Sequence, residues 1–335
     1  MITGSTARSY LLRKCLTTLF SARLTVLLLA SSAWLPDARA ESFMQDRIDA
    51  FRASDILFQR SNSNVPFMPI AFLNTSHYGE AQITNNTTGE TVSFEQQGIS
   101  AMGGVPFLPT KRDMLITGAY LSSNRFTSDD SQREDFRVDS VGVPLAWLRQ
   151  VNPRWQAAAF VMPFAHRSTQ DEGSWSLQTM GGVFGRYTQH ERLWWVFGVF
   201  ADHSEQESYA LPYVGASWSI NDRWTLSAVM PWPSVMYAPT KDWLFSLGAS
   251  PSGAAWSLQD QQTDVAISLD AWDFGLNAER RLHRNLWLSA KVGVGGLRGL
   301  RYSTREDGIE APDIDVGASA FFALSLRIRP ADLLP

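Results

Sequence analysis

From Ile314 to Ile328 the chain reads IDVGASAFFALSLRI, and every second residue is apolar: Ile314, Val316, Ala318, Ala320, Phe322, Leu324, Leu326 and Ile328. Between them stand Asp315, Gly317, Ser319, Phe321, Ala323, Ser325 and Arg327. Side chains alternate across a strand with period two, whereas a helix repeats every 3.6 residues, so this pattern excludes a helix. Its length constrains the fold further. An ordinary strand has about five or six residues, and a tilted membrane-crossing strand about 9–11. This stretch holds its phase for 15 residues.

The alternation begins near residue 66 and recurs to about residue 330. In LWLSAKVGVGGL, Leu286, Leu288, Ala290, Val292 and Val294 share one face; Ser289, Lys291, Gly293 and Gly295 share the other. In DVAISLDAWDFGLNA the apolar set changes phase, which predicts a bulge at Ala271–Trp272. FRVDSVGVPLAW shows a similar slip near Asp139–Val141. Short turns, NPR (152–154), HER (190–192), ND (221–222) and HRN (283–285), alternate with longer acidic loops such as TSDDSQRE and STREDGIEAPD. That is the connectivity of an outer-membrane barrel, with short periplasmic turns and long external loops. Trp155, Trp194, Trp195, Trp224 and Trp287 follow short turns, and Trp147 and Trp218 precede them. Seven rings at one end of a barrel would form an interfacial girdle, since indole is apolar yet carries an N–H for the headgroups. Candidate strands number about fourteen, including 223–233 and a doubtful pair at 243–250 and 254–260. The expectation is all-β: an antiparallel up-and-down transmembrane barrel of ten to fourteen strands, an even number.

The start of the chain has a different character. Arg8, Arg13, Lys14 and Arg23 precede LTVLLLASSAWL, an apolar run too short to cross a bilayer, and ARA follows at 38–40. This predicts a signal peptide over 1–40, cleaved before Glu41. The whole sequence has 29 basic and 33 acidic residues, a net charge of −4; the leader takes five basic residues and one acidic, leaving about −8. A negative chain argues against a nucleic-acid partner. The sole cysteine, Cys15, lies in the leader, so disulfide and thiol chemistry are excluded after cleavage. No later apolar run approaches the roughly 20 residues of a spanning helix. That leaves a soluble protein or the other permitted spanning structure, a closed barrel. Residues 41–65 read as a short helix or loose extension, with a plug as the alternative; 331–335 form a C-terminal tail.

Chemistry is sparse. His166 and Ser168 in AHRS, together with Tyr187-Thr188-Gln189, invite comparison with outer-membrane phospholipases, but the order is reversed and no asparagine follows to orient the histidine. The five histidines lack ligand spacing, and the acids of STREDGIEAPD lack the pattern of a calcium loop. No cofactor and no metal is expected. GVGGLRG lies within a strand, where glycine permits close packing. If the apolar faces meet lipid, then Asp270, Asp273, Lys291, Arg298 and Arg327 point into the lumen as candidate binding residues, where charges need partners or water.

Two units repeat: NPRWQAAAFVMPFAH (152–166) and NDRWTLSAVMPWPSV (221–235), each Asn-x-Arg-Trp, an alternating strand, then Met-Pro-aromatic. With the intervening LPYVGASWSI and the closing strand, they resemble a large family of bacterial outer-membrane barrels defined by a domain of unknown function. The resemblance covers roughly residues 66–330 and implies the barrel and its location; it brings no catalytic residues. Many such barrels end on an aromatic residue, and this chain instead continues through SLRIRPADLLP. The expected function is a structural barrel or narrow channel for small solutes, non-enzymatic, in the bacterial outer membrane. Its partners would be outer-membrane lipid, the assembly machinery and an unidentified small-molecule solute. A soluble periplasmic β-sandwich or binding protein is the alternative, and an outer-membrane lipid hydrolase the second.

Overall fold

The computed structural model describes residues 53–57, 63–85, 89–128, 135–169, 175–204, 208–230, 232–252, 254–260, 263–304 and 314–329. The expected leader, most of the expected extension over 41–65 (residues 41–52 and 58–62), and the tail lie outside them.

Seventeen strand segments form one antiparallel sheet closed on itself. They are β1 (Ala71–Asn85), β2 (Thr91–Phe107), β3 (Asp113–Ser128), β4 (Phe136–Gly142), β5 (Leu145–Asn152), β6 (Trp155–Ser168), β7 (Ser176–His190), β8 (Leu193–Ser204), β9 (Ser208–Ser219), β10 (Trp224–Ser227), β11 (Ser234–Thr240), β12 (Trp243–Pro251), β13 (Ala254–Asp260), β14 (Thr263–His283), β15 (Leu286–Thr304), β16 (Ile314–Val316) and β17 (Ser319–Ile328). Three consecutive pairs, β4/β5, β12/β13 and β16/β17, each make one wall strand, so the barrel has fourteen. Closure comes from β1, which pairs with β2 on one side and β17 on the other, Ala71 opposite Ile328 and His77 opposite Phe322. A closed ring leaves no sheet edge, the condition for strands to cross a bilayer. Among the described residues no helix is long and apolar enough to cross a membrane.

The expected number of strands is present, but two of its members differ. β12 and β13 are a single wall strand, because both pair with β14 in one register: Pro251 opposite Trp272 and Ala254 opposite Leu269. The fourteenth strand is β11, absent from the sequence-based assignment. β10 keeps only four residues rather than extending to 233, and the chain turns back near Pro233, which has no N–H for a ladder. That reversal creates a further short turn at Lys241–Asp242, again followed by tryptophan, Trp243.

The bulge in β14 lies where the phase change placed it, between Ala271 and Asp273. The slip near Asp139–Val141 does not occur. β4 and β5 keep one register against β6, Gly142 opposite Phe164 and Leu145 opposite Val161. The pattern only inverts its polarity: Arg137 and Asp139 point outward as an ion pair, with Phe136 and Val138 inward.

The segment preceding β1 lies inside the short-turn end of the barrel. Asp55 N donates to Lys111 O, Leu57 N to Gln150 Oε1, and Gln156 Nε2 back to Leu57 O. Farther along, Asn64 N donates to Asp222 O and its side chain to Ala238 O, while Val65 packs among Met236, Ala238 and Leu244. These anchors lie on well-separated stretches of the ring, β3–β6 and β10–β12, so the described parts of this segment act as a floor. No helix forms over Ala53–Leu57.

Candidate functional site: the barrel interior

The two faces of the wall have opposite chemistry. On β17, Ala320, Phe322, Leu324 and Ile328 are exposed, while Ser319, Phe321, Ser325 and the following Arg329 are buried inside. On β14 the exposed positions include Phe274 and Leu276, and the inward ones Asp273, Asn277 and Glu279. A soluble barrel has the reverse arrangement; apolar outside with ionised groups inside fits a wall surrounded by hydrocarbon.

One side of the interior is densely braced. Glu279, 2% exposed, receives Arg327 Nη1 at 2.6 Å, Arg329 Nη2 at 2.7 Å and Asn277 Nδ2 at 2.8 Å. Arg329 also donates to Phe67 O, which ties this cluster to the floor segment. A short distance outward, Asp273 accepts from Tyr78 Oη at 2.6 Å and Ser252 Oγ at 2.7 Å. Tyr78 stacks on Phe321, whose ring also faces the Lys291 ammonium at 5.1 Å. Inward glycines make this possible: a Cβ on Gly293 would collide with Phe274 O and reach within 2.8 Å of the Phe321 ring. Of the charges expected in the lumen, Asp273, Lys291 and Arg327 belong to this inner face. Asp270 and Arg298 lie on β14 and β15 opposite Gly299 and Ala271, and their side chains are outside the described set.

The facing side, β6 to β9, is aromatic. Phe160 stacks on Phe184 at 5.9 Å; Phe184 meets Tyr213 edge-on at 5.1 Å; Phe200 lies 6.2 Å from Phe160 and 6.3 Å from Tyr209. Below this patch, toward the short-turn end, Arg186 Nη1 donates to Gln156 Oε1 at 3.0 Å, and its guanidinium lies 5.1 Å above the Trp194 ring. Above it runs a polar chain. His166 Nδ1 is 2.8 Å from Ser140 Oγ and its Nε2 is 3.0 Å from Gln178 Oε1, while Gln178 Nε2 donates to both oxygens of Asp202. The histidine's serine is therefore Ser140 of a neighbouring strand rather than Ser168, which is buried at the end of β6. Both ring nitrogens are engaged in bracing the wall.

The seven tryptophans divide. Trp155, Trp195, Trp218 and Trp224 are exposed on the outer surface, and Trp147 lies there half-buried with Nε1 donating to Asp113 Oδ1. Trp194 and Trp287 do not belong to that set. Each lies next in sequence to an outward residue, so the alternation turns it into the lumen. Trp287 is 1% exposed beneath Arg329, at 5.8 Å, and Trp194 lies beneath Arg186. Trp243 stands outside, stacked on Phe245, and the turn it follows was the missing signal. Glu279, Arg329, Arg186 and Asp202 also escaped the sequence reading. Glu279 was within reach, six residues beyond Asp273 on the same face. Among the described residues no group of three His, Cys, Asp or Glu could hold a metal ion.

Several solved outer-membrane barrels are similar in outline. The COG4313 outer membrane channel from Pseudomonas putida F1 is 13% identical, with 79% of this chain and 97% of that chain covered and a TM-score of 0.41. The Pseudomonas putida toluene transporter TodX is 9% identical, covering 82% and 93%, at a TM-score of 0.39. A Pseudomonas aeruginosa FadL homologue is 10% identical, covering 78% and 90%, at 0.37. Similarities this low transfer no substrate to this chain. No curated protein sequence matches it. The model of one family does match, over residues 109–328 from just before β3 to the end of β17, and its description is a domain of unknown function, DUF6268. That span is about two thirds of the sequence, and the chain belongs to this family.

Proposed function

We propose that the protein is a bacterial outer-membrane barrel, exported through cleavage of residues 1–40 and inserted by the outer-membrane assembly machinery, and that it serves as a narrow channel for small solutes rather than as an enzyme. The carrying observation is the polarity of the wall: a closed fourteen-stranded ring with Phe322, Leu324 and Leu276 outside and Glu279, Arg327 and Asp273 inside. Fourteen strands fall between eight-stranded barrels, which side chains fill, and the sixteen to eighteen strands of water-filled porins. The interior also holds groups of both charges, suited to a wet, constricted path, and the floor segment narrows its inner end. Outer-membrane fractionation with heat-modifiable gel migration tests the location; a freely soluble periplasmic product overturns it. Planar-bilayer recording tests the path, with discrete current steps expected and their absence counting against a channel.

A further inference from the structure

We infer that the lumen floor beside β6–β9 binds a small monocarboxylate with an apolar body, the carboxylate at Arg186 and the body directed outward over Phe184, Phe160, Phe200 and Tyr213. This deepens the channel reading and rests on it. The first observation is a missing counter-charge. Elsewhere in the described interior the arginines are matched: Arg327 and Arg329 share Glu279. Arg186 has no carboxylate within 4 Å among the described residues; it has the neutral amide of Gln156, the face of Trp194 and a buried Nε without an acceptor. Keeping a guanidinium in that setting is costly unless an anion arrives, and a carboxylate is the planar acceptor that suits the guanidinium fork.

The second observation is what lies above it. Register places the inward residues in layers: Arg186 opposite Val196, Phe184 opposite Gly198, Gly182 opposite Phe200, and Met180 opposite Asp202. Adjacent layers are about 6.6 Å apart and the whole stack about 20 Å. Between the cation at its foot and the acid at its head the lining is apolar. Gly198 makes room for the Phe184 ring: a Cβ there would collide with Val183 O and lie 2.8 Å from that ring. The order of the stack selects the ligand. Arg186 takes one negative charge, the aromatic layers take an apolar body of one ring or a short chain, and Asp202 repels a second carboxylate. Below Arg186, Gln156 connects to Leu57 of the floor segment.

The test uses the mature full-length chain in nanodiscs, with binding read by calorimetry. The probes are 4-phenylbutyrate, its alcohol 4-phenylbutan-1-ol, and octanoate against octanedioate. In the wild type the acid should bind at least about tenfold tighter than the alcohol, and octanoate tighter than octanedioate. Arg186→Gln should abolish the preference for the acid, whereas Phe200→Ala should weaken acid and alcohol alike; both variants are first checked for heat-modifiable migration. Equal binding of acid and alcohol by the wild type, or a preference that survives Arg186→Gln, overturns the site. Current steps without acid preference would sink this inference alone. Acid preference without current steps would support the site and sink the channel.

Discussion

The two halves of the lumen solve the same problem differently. On the β14, β15 and β17 side, Glu279 is ion-paired with two arginines, while Asp273 and Lys291 are braced by neutral hydroxyls, Tyr78 and Ser252 for the acid and Ser250 for the ammonium. On the β6–β9 side, the cation Arg186 is left with a neutral amide and an indole, and aromatic rings replace the polar network. With the ligand site proposed above, this barrel assigns bracing and recognition to different arcs of one wall. Glu279, already holding two guanidinium groups, has nothing left to offer a solute, whereas the Arg186 guanidinium, held by an amide and an indole, can take an anion.

The sharpest way to break the comparison is to neutralise one charge on each side. Glu279→Gln should cost about 3–5 kcal/mol, because it strands two arginines in a buried site. Arg186→Gln should be neutral or stabilising, since it removes a buried charge that has no ionic partner among the described residues. Urea unfolding in lipid vesicles reads both; equal losses would erase the distinction. Next come the glycines under the rings. Gly293→Ala and Gly198→Ala should each cost about 1–3 kcal/mol, because the added methyl meets backbone carbonyl oxygen. Gln156→Ala should cost about 1 kcal/mol of stability through its lost hydrogen bonds and raise single-channel conductance by loosening Leu57; unchanged conductance would show that the floor is held elsewhere. The smallest effect lies at the foot of the matched side. Arg284 has φ +40° in the β14–β15 turn, so Arg284→Gly should gain about 0.5–1 kcal/mol in the same urea experiment.

How much of this was legible in the sequence differs between the two sides. The matched side was the readable one. β14, β15 and β17 are long, strongly alternating strands, so Asp273, Lys291 and Arg327 were assigned to the lumen by counting in twos, and the bulge followed from where the count failed. The aromatic side was obscured because large apolar residues occur on both faces of β6–β8, Phe160, Met162, Phe184 and Phe200 inward and Val161, Val183, Phe197 and Val199 outward, which blurs the alternation. Arg186 stands out only once neighbouring strands show that no carboxylate is beside it. The short β10–β11 hairpin was hidden for another reason: prolines and Trp232 continued the apolar pattern past the point where the chain reverses. Trp194 and Trp287 show the limit of arguing from distance to a turn. Being near the interface fixes depth, and only the parity of the position fixes the face.

The direct test of the central claim is residue-by-residue facing. Cys15 is the sole cysteine, so a chain lacking residues 1–40 carries none of its own. Single cysteines introduced at Leu276, Phe322 and Val183, and at Asn277, Ser289 and Ser325, can be labelled with a fluorophore and reconstituted in vesicles containing bromine-labelled lipid chains. Strong quenching at the first three and weak quenching at the last three is the expected result. Strong quenching at Asn277, Ser289 and Ser325, or equal quenching of both sets, would contradict a membrane barrel with its polar face inside.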